Sequence, residues 1–84
     1  MIPSWASDVR FRQRKSAAYL VRGSEAYQLN DVGGFIWTLC DGEHGVEDIA
    51  TQMAQRFGIT HEVARHDAEE FVQSLLNLDL LKVE

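Results

Sequence analysis

Apolar and polar side chains alternate along the first third of the chain. Val9 and Phe11 fall on one side while Arg10, Arg12 and Arg14 fall on the other, the period-two pattern of a half-buried strand. Lys15-Ser16 then reads as a turn, and Ala17–Arg22 as a second strand rich in aromatic and branched residues. Gly23-Ser24 is a second turn, followed by a shorter third strand over Glu25–Leu29. Turns this short join antiparallel neighbours, so the spacing predicts a three-stranded meander.

The period changes after Leu29. Asn30 is placed to cap a helix, with Asp31 in the first turn where the helix dipole favours an acid. Val32, Phe35, Ile36 and Leu39 give that helix one apolar face, and Asp41-Gly42 ends it. A second helix follows Gly45, with a stripe of Val46, Ile49, Ala50, Met53, Ala54 and Phe57; Gly58 stops it. Thr60 caps a third helix whose central stripe is Ala64, Ala68, Phe71, Leu75 and Leu78. Val72 and Leu76 widen that stripe on one side and Val63 on the other, and Leu80–Val83 form a short extended tail. The order is three strands, then three helices: an α+β fold of winged-helix type, a three-stranded antiparallel sheet followed by a three-helix bundle. The expected core includes Phe35, Ile36, Ile49, Met53, Phe57, Phe71 and Leu75. Trp37 lies off the first helix's stripe and is expected at the core rim. Trp5 is expected to dock on the sheet or on a neighbouring subunit.

The chain has 84 residues, which fits a single domain over 1–84, with 45% apolar and 25% charged residues, ordinary for a globular protein. No apolar run approaches the roughly 20 residues of a membrane span, and the start does not resemble a signal peptide. The single cysteine, Cys40, forms no internal disulfide. A cytoplasmic protein is the expectation, a monomer or a weak homodimer through exposed strand edges.

Charge is unevenly spread. Residues 1–22 carry Arg10, Arg12, Arg14, Lys15 and Arg22 against Asp8 alone, whereas residues 23–84 carry Arg56, Arg65 and Lys82 against twelve acids. The helical part is therefore acidic, which argues against nucleic acid. The basic row reads either as a solvated strand face or as a landing site for an acidic peptide.

No constellation for catalysis stands out. His44, His61 and His66 fall on loop, helix start and polar helix face, and Cys40 ends an apolar helix, where a small buried thiol is the simpler reading. Cys40 and His44 are four apart and His61 and His66 five apart, so the two histidines do not share a helix face and no zinc site is expected. No cofactor is implied. What remains is a binding surface. The meander has free edges, and Val63, Asp67, Glu70 and Ser74 form a narrow mixed flank on the third helix. Beside a free strand that flank makes a groove; alone it is a polar boundary.

Tyr27-Gln28-Leu29-Asn30, Ile36-Trp37-Thr38-Leu39-Cys40-Asp41-Gly42, Val46-Glu47-Asp48-Ile49-Ala50, and Asp67 with Phe71, Leu75 and Leu80-Leu81 resemble the PqqD-like family over about residues 8 to 82. The resemblance implies a small recognition element of ribosomally made, post-translationally modified peptides, winged-helix-like but without DNA binding. Such an element is a non-catalytic adaptor: it holds the leader of a precursor peptide and presents it to a modifying enzyme such as a radical S-adenosylmethionine protein or a leader peptidase. The alternative kept beside it is a winged-helix DNA-binding transcription regulator. In the family the leader adds as a strand to the third strand and lies against the third helix. Carried over, this implies Glu25, Ala26, Tyr27, Gln28 and Leu29 on the strand side, and Asp67 and Phe71 on the helix; Val63, Glu70 and Ser74 follow by helical geometry. Two features depart from the family pattern. Asp79 stands where a glycine is usual before the final Leu-Leu, and aspartate tolerates the left-handed backbone that such a turn needs. Gly33-Gly34 weakens the first helix by about 1 kcal/mol per glycine relative to alanine, which fits a need for close packing.

Overall fold

The computed structural model describes residues 1–83. Five strands and three helices follow one another: β1 (Pro3–Trp5), β2 (Arg10–Arg14), β3 (Ala17–Arg22), β4 (Glu25–Leu29), α1 (Asp31–Leu39), α2 (Val46–Phe57), α3 (His61–Asn77) and β5 (Leu81–Val83). The meander forms in the expected order β2-β3-β4, antiparallel throughout. Its register stacks Phe11, Leu20 and Tyr27 across the core face, with Gln13, Ala18 and Leu29 beside them. Arg10, Arg12 and Arg14 consequently share the outer face with Tyr19 and Val21. Neither β2 nor β4 has a second strand neighbour among the described residues.

The chain ends build a second sheet that the sequence reading did not contain. β1 pairs antiparallel with β5, and Trp5 rests on Trp37 with ring centroids 6.1 Å apart. The Trp5 indole Nε1 donates to the Trp37 carbonyl at 2.6 Å. Trp5 packs on Trp37 of α1 and borders a cleft shared with Phe11 of β2, and Trp37 is core rather than rim, at 3% exposure. An indole this large is buried when a second one covers it.

The helix caps form where the side-chain chemistry placed them. Asn30 accepts from the Gly33 amide at 2.7 Å, and Thr60 from the Val63 amide at 3.2 Å. Asp79 takes the left-handed position at the end of α3, with φ of 59°. The Leu80 amide donates to the Leu75 carbonyl and the Asp79 amide to the Leu76 carbonyl, so the turn usually made by glycine is closed by aspartate. Arg22 braces it, donating to the carbonyls of Leu78 and Asp79 while its Nε lies 3.3 Å from Asp8.

The core joins Leu20 and Leu29 of the meander to Ile36 and Trp37, Ile49 and Met53, and Ala64, Ala68, Val72 and Leu75. The buried line of α3 thus runs through Val72, where the sequence stripe ran through Phe71 and Leu78. Leu78 is exposed, and Phe35, Phe57 and Phe71 are half-buried instead of enclosed. The physical reason is the rotation of α3: its inward line is Ala64, Ala68, Val72 and Leu75, and the small residues in that line allow close packing. Among the described residues no helix is long and apolar enough to cross a membrane.

Candidate functional site

A groove of about 460 Å³ runs between β4 and α3. Gln28 and Leu29 form one wall, and Asp67, Glu70, Phe71 and Ser74 the other, spaced at three and four residues as one helix face requires. The floor comes from α1 and its cap: Asn30, Val32, Gly33 and Ile36. Six of the ten residues singled out from the sequence therefore meet in one place. Glu25, Ala26, Tyr27 and Val63 do not line it. Tyr27 packs against the core, with its hydroxyl 3.4 Å from Glu25, and Val63 is 47% exposed in the first turn of α3. The strand residues Glu25, Ala26 and Tyr27 nevertheless belong to the open β4 edge that leads into the groove.

Sequence reasoning missed the α1 floor. The signal was present in Gly33. A Cβ built there would lie 3.0 Å from Cε1 of Phe71 and 3.3 Å from Oδ1 of Asn30. The glycine leaves room for the Phe71 ring to settle on α1, and that ring lines the groove. Gly34 has ordinary room, its nearest neighbour being Ala18 Cβ at 3.7 Å.

The chemistry of the groove is an apolar floor with carboxylates on one wall. Glu70 is paired with His66 at 2.9 Å, one turn back along α3. Asp67 has no hydrogen-bond or ion-pair partner among the described residues, and it is exposed at the rim. The groove therefore offers three things to an extended chain: a backbone edge with free donors and acceptors, an apolar floor, and acceptor oxygens on the facing helix.

Cys40, His44 and His61 do not line the groove. Cys40 is fully buried, and burial, reinforced by the Asp41 charge, pushes its thiol up to about 12. His44 sits in the α1–α2 loop with Nδ1 2.9 Å from Asp41 Oδ1 and Nε2 3.8 Å from Asp48. That hydrogen bond raises the His44 pKa above its ordinary value and lowers that of Asp41. His61 faces Glu47 at 3.7 Å. Among the described residues no group of three or more His, Cys, Asp or Glu side chains is placed to hold a metal ion.

A winged-helix-like α+β domain with an open sheet edge beside its last helix is the class that this fold and groove define. The chain belongs to the PqqD family: the sequence model of coenzyme PQQ synthesis protein D matches residues 17–81. Among curated protein sequences it has no match. Three solved structures share the fold. A lasso peptide synthetase B1, described as complexed with the leader peptide, matches with a TM-score of 0.86 at 20% identity, over 98% of this chain and 99% of that one. TbiB1, described as in complex with the TbiA(beta) leader peptide, gives 0.83 at 20% identity over 94% of each chain. The PqqD truncation of Methylobacterium extorquens PqqCD, described as a functional, stand-alone recognition element of ribosomally synthesised and post-translationally modified peptides, gives 0.82 at 21% identity over 95% of this chain and 87% of that one.

Proposed function

We propose that this protein is a non-catalytic adaptor that binds the leader segment of a ribosomally synthesised precursor peptide and presents it to a modifying enzyme in the cytoplasm. The observation that carries the reading is the open β4 edge running into a groove walled by α3. Membership of the PqqD family supports it, as do two similar structures described as leader-peptide complexes. A radical S-adenosylmethionine protein or a leader peptidase is the kind of enzyme such an adaptor serves.

The peptide adds to β4 as a fourth strand of the meander. Main-chain hydrogen bonds supply sequence-tolerant affinity, and alternate side chains turn toward the groove. There an apolar side chain meets Leu29, Val32 and Phe71, and a donor meets Asp67 or Glu70. Catalytic turnover is left to the partner. The DNA-binding alternative gains nothing from the fold: α3 exposes Glu62, Asp67, Glu69 and Glu70 against Arg65 alone as a fixed positive charge, which repels phosphate.

Calorimetry with the leader peptide encoded beside this gene tests the proposal. Binding at micromolar affinity or better, with amide shifts concentrated on residues 25–36 and 67–74, is the expected result. Absence of heat and of shifts at high micromolar peptide overturns it.

A further inference from the structure

The sheet has a second open edge, and its chemistry is the reverse of the first. β2 lies at the end of the meander opposite β4 and pairs with β3 alone among the described residues. On its outer face Arg10, Arg12 and Arg14 stand in a row, roughly 6.8 Å apart by strand geometry. None of the three has an ion-pair partner among the described residues; the row's one polar contact is Arg12 with the carbonyl of its own neighbour Phe11, at 3.4 Å. On its core-facing side two clefts of about 250 and 260 Å³ border the same strand and share Phe11 and Thr38; the second is mainly apolar, and the first mixes aromatic rings with Gln13, Asn30, Asp31 and Arg56. One lies against Trp5 and Trp37, the other against Phe35 and Phe57, whose rings meet edge to face at 5.5 Å. Trp5 remains 44% exposed at the mouth of the first.

We propose that β2 is a second docking edge, which takes an extended segment of a partner protein that alternates acidic and apolar side chains. A strand laid against β2 points its odd side chains to one face and its even ones to the other. Carboxylates then fall beside the arginine row, and apolar groups enter the cleft beside Trp5 and Trp37 and reach the Phe35 and Phe57 rings in the other. The alternation follows from the two faces of the edge, an arginine row on one and aromatic-lined clefts on the other. A second copy of the chain does not fit. Pairing of β2 with β2 sets arginine against arginine, which is repulsive, and pairing with β4 offers the row only Ala26 and Gln28 on the matching face. The peptide proposed for the β4 groove is not the occupant either: that groove is walled by Asp67 and Glu70, so the two edges select opposite charges. The edges lie at opposite ends of one sheet, so both can be filled together.

The test uses the full chain and a synthetic ten-residue peptide alternating Glu with Phe and Val. One control replaces Glu by Lys, and a second keeps the composition but groups the acids in one block. Nuclear magnetic resonance titration at low salt should shift the amides of residues 9–14, Thr38 and the Trp5 indole with the alternating acidic peptide. Arg12→Gln should weaken that binding about threefold. The triple variant Arg10→Glu/Arg12→Glu/Arg14→Glu should abolish it and take up the Lys peptide instead, which also shows that the variant is folded. Shifts confined to residues 25–36 and 67–74, equal binding of the block peptide, or equal binding of a short DNA duplex or of anionic vesicles at the arginine row each overturn the proposal. Adding the leader peptide separates the two sites: a leader that fails to bind leaves the β2 result standing, and the reverse also holds.

Discussion

Gly33 and Phe71 meet at the floor of the β4 groove, and the pair makes the role of a single hydrogen atom measurable. Gly33→Ala gains about 1 kcal/mol of helix propensity but brings a Cβ to 3.0 Å from the half-buried Phe71 ring, which lines the groove and must shift. Urea unfolding should therefore change by less than about 1 kcal/mol while affinity for the leader falls at least tenfold. Gly34→Ala, with 3.7 Å of clearance to Ala18, should instead stabilise the protein by about 0.5–1 kcal/mol and leave binding unchanged. A destabilised Gly34→Ala variant would mean that α1 packs closer to β3 than described. Asp67 can be judged in the same way. It holds no partner among the described residues, so Asp67→Ala should alter stability by no more than about 0.5 kcal/mol, the range of an ordinary surface change. Its effect should fall on leader affinity. A lowered melting temperature with unchanged affinity of the folded protein would make the carboxylate a structural group.

At the scale of elements, β4 and the α1–α2 loop make separate predictions. Strand addition depends on the β4 backbone, so Gln28→Pro, which removes a donor and distorts the edge, should weaken leader binding far more than Gln28→Ala. Circular dichroism establishes that both variants are folded, and equal affinities would exclude β4 as the docking strand. The loop contains a hydrogen-bonded pair, His44 and Asp41, in which both groups are shifted. Raised in the folded state, the His44 pKa stabilises fully below its ordinary 6.5, and the gain is lost as pH rises through the higher folded value. Lowered in the folded state, the Asp41 pKa stabilises above its ordinary 3.8, and that gain is lost as pH falls through the lower folded value. The loop is therefore held best between about pH 4 and 6.5. Thermal unfolding from pH 6 to pH 8 should show a decline in the wild-type protein that His44→Gln lacks; parallel curves would remove the pair from any role in stability.

For the whole molecule, the segregation of charge bears on association. A row of arginines on the β2 edge opposes pairing with another copy, and the acidic α3 wall carries like charge toward a second α3. Light scattering from micromolar to millimolar protein should report the mass of one chain, 9.5 kDa, at every concentration. A dimer mass that persists on dilution would require an interface other than the two sheet edges, and the exposed Ile2, Trp5 and Val83 around the small sheet would be the place to seek it.

Local chemistry was enough to determine the meander, its two tight turns, the three helices and both side-chain caps, because each depends on neighbours within a few residues in the chain, whereas the left-handed turn at Asp79 followed from the family resemblance. The free third strand and the polar flank of the last helix were legible for the same reason: alternation and helical spacing are written in adjacent positions. Tertiary structure alone decided the rest. β1 pairs with β5 across nearly the whole chain, and a three-residue strand has too short a pattern to announce its partner. Trp37 became core only because Trp5 came to cover it. The stripe of α3 held apolar residues over more than one face, and which of them turned inward was settled by packing into the common core. That rotation left Phe71 half-exposed on Gly33, so a residue that periodicity assigned to the core became a wall of the groove.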